Sequence, residues 1–126
     1  MSWKNIKVSN DCTHFLFDGK PIFDKTFIEV LKFHSPGLAP VIDNSGAYHI
    51  DTSGNELYSN RYSRTFGYYC NRASVIDNNL WFHINEKGDR VYSDSYLWTG
   101  NYQENLCTVR NDRNQYFHID LNGNRI

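Results

Sequence analysis

The chain lacks the features that mark several classes of protein. Its 126 residues include three prolines and three cysteines, and because the cysteines form no Cys-x-x-Cys pair, neither a disulfide framework nor a zinc knuckle is indicated. No apolar signal sequence opens the chain, and no stretch reaches transmembrane length. The sequence therefore predicts an ordered, cytoplasmic protein with no membrane partner, whose free thiols are buried.

Charge and motif content argue against further classes. Thirteen basic and 14 acidic residues leave a net charge of −1, which gives no reason to expect nucleic acid as a partner. The chain has no Gly-x-Ser-x-Gly, phosphate loop, dinucleotide fingerprint or His-Glu-x-x-His. Cys70 near Arg72 is the only thiol with a local positive charge, which is weak support for a nucleophile. We therefore expect no catalytic residue, no cofactor and no bound metal.

The chain does contain a repeated phrase. Residues 48–51, 82–85 and 117–120 read Tyr-His-Ile-Asp, Phe-His-Ile-Asn and Phe-His-Ile-Asp. A glycine stands five residues after each of these histidines and after His14, at Gly54, Gly88, Gly123 and Gly19. This period of 34 to 35 residues predicts a repeat architecture within a single domain, 1–126. The predicted units are 14–47, 48–81, 82–116 and a partial unit 117–126.

Each phrase predicts a half-buried strand followed by a turn. Alternation places Tyr48 and Ile50 on an apolar face and His49 on the opposite, polar face. The residue after the isoleucine accepts a backbone N–H two positions on, and the glycine supplies a positive φ. These turn residues are Asp51 and Gly54, Asn85 and Gly88, and Asp120 and Gly123. Each unit is therefore predicted to hold three or four short antiparallel strands.

The first unit departs from this pattern. Residues 17–20 (Phe-Asp-Gly-Lys) predict a tighter Asp-Gly turn, and Leu16 stands where the other units have Asp or Asn. Residues 24–33 suit either a short helix or an extended strand, and alignment with the other units favours the strand.

The predicted fold class is all-β: tandem antiparallel hairpin or meander repeats, arranged as an open array or a partial propeller. Closure of the β-trefoil kind is the geometric alternative, since three four-stranded units could close a small barrel. Because the last copy of the phrase stands where a further hairpin would begin, we expect the chain to be the N-terminal piece of a longer repeat protein.

The units resemble the WG-type repeats, bacterial β-repeats built on a Gly-aromatic-Ile-Asp/Asn-x-x-Gly core. The resemblance rests on residues 48–54, 82–88 and 117–123, the mid-unit Tyr62 and Tyr96, and the closing Val41, Val75 and Val109. An aromatic-His pair replaces the family's Trp/Phe-Gly, of which Trp81 is the closest remnant. The resemblance implies a β-repeat protein and leaves its partner open.

The histidines of the repeated phrase allow two interpretations. His49, His83 and His118 share one face and would offer nitrogen ligands to a metal. A metal needs such nitrogens within about 2.1 Å of one ion, whereas equivalent positions of neighbouring units lie several strands apart. We therefore favour the interpretation that each imidazole hydrogen-bonds a backbone group or a neighbouring Asp or Asn and orients its hairpin.

The candidate binding residues lie in segments that differ between units. Aromatic residues with Arg and Asn dominate interface hot spots, and the candidates are Arg61, Arg64, Tyr68, Arg72, Trp98, Asn101 and Tyr102. The alternative is that the aromatics fill the space between units. The leading function is a non-catalytic binding or scaffold module that recognises a protein. Two alternatives are a targeting or regulatory module of a larger enzyme, for example a transferase, and a glycan-binding module.

Overall fold

A computed structural model describes residues 2–126, and this part of the chain consists of short strands joined by turns and irregular segments. A 3₁₀ turn at Trp3–Asn5 precedes twelve short strands within the described residues. The strands are β1 (Ile6–Val8), β2 (Phe15–Phe17), β3 (Lys20–Pro21), β4 (Glu29–Val30), β5 (Ala39–Asp43), β6 (Gly46–Ile50), β7 (Arg64–Tyr69), β8 (Arg72–Asp77), β9 (Leu80–Ile84), β10 (Trp98–Thr99), β11 (Cys107–Arg110) and β12 (Tyr116–Ile119).

The strands form four separate antiparallel sheets of three strands. In each sheet the strands lie in chain order, as β1-β2-β3, β4-β5-β6, β7-β8-β9 and β10-β11-β12. The register repeats, since Val41 lies opposite Tyr48, Val75 opposite Phe82 and Val109 opposite Phe117. The predicted all-β fold of tandem antiparallel repeats is confirmed. No sheet of residues 2–126 closes on itself, so the β-trefoil-like alternative is wrong.

The strands of the repeated phrase are more deeply buried than predicted. Tyr48 and Ile50 are buried in β6, as their apolar character requires, but His49 between them is also fully buried. His83 in β9 is buried in the same way, because the next unit packs on the face that the sequence predicts to be polar and half-exposed. Only in β12 does the pattern hold as predicted, with His118 exposed.

The predicted turns are confirmed. The Asp51 carboxylate accepts the backbone N–H groups of Ser53 and Asn55 at 2.9 and 3.0 Å. The side-chain oxygens of Asn85 and Asp120 each accept the equivalent two backbone N–H groups. The three turn glycines have φ values of +83°, +82° and +85°. After each turn the chain returns through an isolated bridge to the preceding strand, Ile50 to Glu56 in the first case.

The first unit also follows its prediction. Asp18 and Gly19 both have positive φ, 51° and 75°, in the two-residue turn between β2 and β3. Residues 24–33 contain the short strand β4 and no helix.

Backbone hydrogen bonds align the first sheet with the others. The N–H of Ile22 donates to the Phe15 carbonyl, as Leu57 donates to His49. β2 is therefore the counterpart of β6, and β1 is the counterpart of β5. Among the described residues, the first sheet thus has no strand in the position that β4, β7 and β10 occupy in the other three.

The period of the repeat agrees with the sequence, but its natural starting point does not. The expected boundaries after residues 47, 81 and 116 fall inside β6, β9 and β12. A structural unit that begins with the first strand of a sheet keeps every strand whole.

The thiols differ in burial. Cys107 is buried, Cys70 is half-buried and Cys12 is exposed, so the expectation of buried thiols is right for Cys107 and wrong for Cys12. No helix in residues 2–126 has the length and apolarity required to cross a membrane.

Candidate binding surface

Consecutive units meet through a cluster of three aromatic or imidazole rings, which we call a joint. The joints are Phe15/Phe23/Phe33, His49/Tyr58/Tyr68 and His83/Tyr92/Tyr102. Their geometry repeats closely: the first ring lies 5.7 to 5.9 Å from the second and 4.6 to 4.8 Å from the third, between centroids. The joints set how consecutive sheets pack on one another, and they thereby position the surface residues of neighbouring units.

Both ring nitrogens of His49 are hydrogen-bonded inside the second joint. Nε2 lies 2.6 Å from the Phe66 carbonyl oxygen; because a carbonyl accepts only, Nε2 carries the proton and donates it. Nδ1 lies 2.6 Å from the Tyr58 hydroxyl and accepts from it. These partners leave the imidazole neutral.

His83 repeats the arrangement in the third joint. Its Nε2 donates to the Gly100 carbonyl at 3.0 Å, and its Nδ1 accepts from the Tyr92 hydroxyl at 2.6 Å. Burial lowers the pKa of both His49 and His83 from 6.5 to about 4, because an imidazolium would lose its hydration there. No carboxylate in the described part of the chain hydrogen-bonds either ring to offset this cost.

Cys107 lies beside His83, but the pair is not an activated nucleophile. The sulfur is 3.6 Å from Nε2 of His83 and donates to the Gly100 carbonyl at 3.2 Å. Burial raises the pKa of the Cys107 thiol to about 12, the opposite of what a reactive thiolate requires. Ala39 and Ala73 hold the equivalent position in other units, so the thiol fills space at a joint.

Tyr68 and Tyr102 belong to the joints and not to a binding surface. They are 2% and 1% exposed, and their hydroxyls donate to the carbonyls of Asn85 and Asp120 at 2.7 Å. The prediction that these two tyrosines contact a partner is therefore wrong. They fix the turns that follow β9 and β12.

The second ring of each joint packs against the turn glycine of the next unit. A carbon added at Gly88 would lie 2.6 Å from the Tyr58 ring, and one added at Gly123 would lie 2.5 Å from Tyr92. Phe23 meets Gly54 in the same way. Each turn glycine is therefore required both for its positive φ and for this close approach.

In the first joint the sequence alignment is wrong by one residue. Spacing from Gly19 pairs His14 with His49, whereas the structure places Phe15 at the equivalent position. The cause is the shorter turn at Asp18 and Gly19. His14 is half-exposed and contacts Thr13.

The three histidines of the repeated phrase do not converge. His49 and His83 are each held in their own joint, and the exposed His118 ring makes no hydrogen bond within the described residues. No group of three potential metal ligands occurs in residues 2–126.

A second set of equivalent positions faces away from the buried valines. Each of three sheets aligns one residue from every strand in a cross-strand row, which we call an outer row. The outer rows are Glu29–Ile42–Ala47, Arg64–Ile76–Trp81 and Trp98–Arg110–Tyr116. Their chemistry changes from row to row, in contrast to that of the joints.

The last outer row is the most accessible. Tyr116 is 62% exposed, Trp98 is half-buried, and their rings meet edge to face at 6.4 Å between centroids. Arg110 lies between them in the register. Its Nε is buried and has no hydrogen-bond partner within the described residues.

The middle outer row is joined to the first. Phe66 stacks on Trp81 with ring centroids 5.3 Å apart and planes 7° apart. The Arg64 guanidinium lies 5.6 Å from the Phe66 ring and pairs with the Glu29 carboxylate at 2.6 Å. The first and middle outer rows are therefore connected across two sheets.

Two other predicted binding residues stabilise the fold, and one is exposed. Arg61 lies 3.8 Å above the Tyr48 ring, and Arg72 donates to the Leu121 carbonyl at 3.0 Å. Asn101 is exposed.

Several further arginines and aromatics have defined roles that the sequence did not predict. Arg90 and Arg125 follow the turn, and their guanidinium groups lie 3.7 and 4.2 Å from the ring centroids of Phe82 and Phe117. Because the two arginines occupy equivalent positions in the repeat, an alignment of the units would have indicated them. Arg110 and Tyr116 had no such signal, because their relation to Trp98 depends on strand register.

Comparisons with family models, curated proteins and solved structures give no match for this chain. The geometry separates two sets of residues: the joints are largely buried and specify the architecture, whereas the outer rows, apart from the buried Ala47, are accessible and differ between units.

Proposed function

We propose that the chain is a non-catalytic, cytoplasmic binding module of the WG-repeat type, and that it recognises a protein through its outer rows. The observation that carries this proposal is the Trp98–Arg110–Tyr116 row. Trp, Tyr and Arg are the residues in which interface energy concentrates, and here the register sets them side by side.

The state of Arg110 supports a partner that offers an oxygen atom. Nε of Arg110 is shielded from solvent, so a partner would approach the terminal nitrogens of the guanidinium. A carboxylate on a partner protein would form a charge-assisted pair there, while Trp98 and Tyr116 supply apolar contacts beside it.

Affinity capture with paired variants tests the proposal. The wild type, Trp98→Ala/Tyr116→Ala, and Ile28→Ala/Leu106→Ala are immobilised, and captured proteins are quantified by mass spectrometry. Ile28 and Leu106 are 60% and 41% exposed and lie outside the outer rows. We expect a partner that the wild type and the control retain and that the row variant loses by about tenfold or more.

Two outcomes contradict the proposal. Identical capture by all three proteins would remove the outer rows from recognition. Binding of an oligosaccharide on a glycan array that depends on Trp98 and Tyr116, with no protein partner, would assign the surface to a glycan.

A further inference from the structure

Within residues 2–126, the first sheet has an uncovered edge at β1. In the other sheets the equivalent strands, β5, β8 and β11, are paired on both sides, by β4, β7 and β10 on the edge that β1 leaves open. The Ser9 N–H donates to the His14 carbonyl on the β2 side. Because backbone groups alternate along a strand, Val8 directs its N–H and C=O to the open edge. Neither group has a hydrogen-bond partner within the described residues.

A cleft of about 630 Å³ runs along this edge. Three consecutive residues of β1, Ile6, Lys7 and Val8, line it. Since successive side chains point to opposite faces, a cleft that touches all three follows the edge of the strand. Trp3 at one end and Phe33 on the facing segment add apolar walls.

The rim of the cleft is basic. Lys4, Lys7 and Lys32 line it and are exposed, and no acidic residue is among the described residues that do so. In a chain with a net charge of −1, three lysines around one apolar cleft select for carboxylates.

We propose that the β1 edge binds an extended peptide in which acidic and apolar side chains alternate, as an added antiparallel strand. The peptide backbone pairs with Val8, its apolar side chains pack on the half-buried Trp3 and Val8, and its carboxylates approach the three lysines. Strand addition to a free sheet edge combines main-chain hydrogen bonds with side-chain selection in this way. The direction follows from β4, β7 and β10, which all pair antiparallel with their neighbours. This site is separate from the outer rows.

A labelled peptide tests the charge requirement. The probe is Glu-Val-Glu-Val-Glu-Val-Glu with fluorescein on its N-terminal amine and an amidated C-terminus, and its binding is followed by fluorescence anisotropy. We expect saturable binding that Lys4→Glu/Lys7→Glu/Lys32→Glu weakens by about tenfold or more and that added salt weakens. The matched control, Lys20→Glu/Lys87→Glu/Arg113→Glu, changes the net charge equally at exposed positions outside the cleft and should bind as the wild type does.

Hydrogen exchange tests the backbone pairing. Bound peptide should slow exchange of the Val8 amide, and a peptide N-methylated at alternate residues should bind about tenfold more weakly because it lacks donors. Equal binding by both triple variants overturns the proposal. Unchanged exchange at Val8, or no binding at millimolar peptide, also overturns it.

Discussion

The Tyr58 hydroxyl donates to Nδ1 of His49 at 2.6 Å within a joint where the histidine is fully buried. Phe15 and Phe23 occupy the same places in the first joint with nearly the same ring separation, 5.9 against 5.7 Å. One geometry thus has a polar and an apolar version. The polar version requires both partners, because either one alone leaves an unpaired buried group.

Tyr58→Phe should reduce the free energy of unfolding by about 1–3 kcal/mol, because it leaves Nδ1 of His49 buried and unpaired. Urea denaturation measures the change. Tyr69→Phe is the control: Tyr69 is 41% exposed, and a change within about 0.5 kcal/mol is expected there. In His49→Phe/Tyr58→Phe the combined cost should fall at least about 1 kcal/mol below the sum of the single costs. Additive costs would refute the coupling.

Stability should fall as pH drops from 6.5 towards 4. In the folded state the pKa of His49 and of His83 is about 4, against 6.5 when exposed. Between these two pKa values the unfolded chain binds more protons than the folded chain. Each neutral histidine therefore contributes fully to the free energy of unfolding above pH 6.5, and about 3 kcal/mol per histidine is lost as the pH falls to 4. Burial lowers the pKa of His34 in the same direction.

Urea titrations at pH 7 and pH 4.5 measure this loss. The carboxyl groups of Asp43 and Asp120 have a pKa lowered from 3.8. Their contribution to the free energy of unfolding is lost only below about that pH, so it does not differ between pH 7 and pH 4.5. His49→Phe/Tyr58→Phe should show a smaller loss than the wild type. Equal stability of the wild type at both pH values would contradict neutral, buried histidines.

Gly88→Ala should be far more damaging than Gly19→Ala. Both glycines have positive φ, +82° and +75°, but the added carbon meets the Tyr58 ring at 2.6 Å in the first case and nothing within 4 Å in the second. Gly19→Ala should cost about 1–2 kcal/mol for the backbone alone, and Gly88→Ala about 2 kcal/mol more. Thermal unfolding compares them, and equal melting temperatures would show that the ring contact is unimportant.

Trp98→Ala should leave a folded chain, whereas Tyr102→Ala should not. Trp98 is half-buried in an outer row, and its removal should cost about 1–2 kcal/mol. Tyr102 is 1% exposed, and its loss opens a cavity in the third joint that should cost about 3–5 kcal/mol. Circular dichroism with urea measures both. A Trp98→Ala variant that unfolds would make Trp98 a core residue.

Thiol labelling should separate the cysteines. Cys12 is exposed and should react first with a maleimide, whereas Cys107 is buried with its thiol pKa raised to about 12 and should react only on unfolding. Peptide mapping by mass spectrometry identifies the order. Fast labelling of Cys107 in native protein would show that the third joint opens.

The sequence was sufficient where the determining contacts are local. The turns at Asp51, Asn85 and Asp120 involve residues no more than four positions apart, and all three formed as predicted. By contrast, Nε2 of His49 donates to a backbone carbonyl 17 residues away, which no side-chain pattern specifies. The burial of Tyr68 and Tyr102 could not be predicted because each packs on a histidine of the preceding unit, His49 and His83, across a joint.

The error at His14 has a similar origin. A turn shortened at Asp18 and Gly19 shifts which residue of β2 faces the joint, and a shift of one residue reverses the faces of a strand. The spacing between Gly19 and Gly54 still matches the repeat period, so the glycines alone do not reveal the shift of one residue in β2.

The contact between a ring and the next turn glycine makes neighbouring units exchangeable. Tyr58 packs on Gly88 as Tyr92 packs on Gly123: a carbon added at the glycine would lie 2.6 and 2.5 Å from the tyrosine. A unit inserted, deleted or moved within such an array meets a compatible neighbour on either side, while its outer row travels with it. Recognition can therefore be reassembled by shuffling whole units without redesigning a single joint.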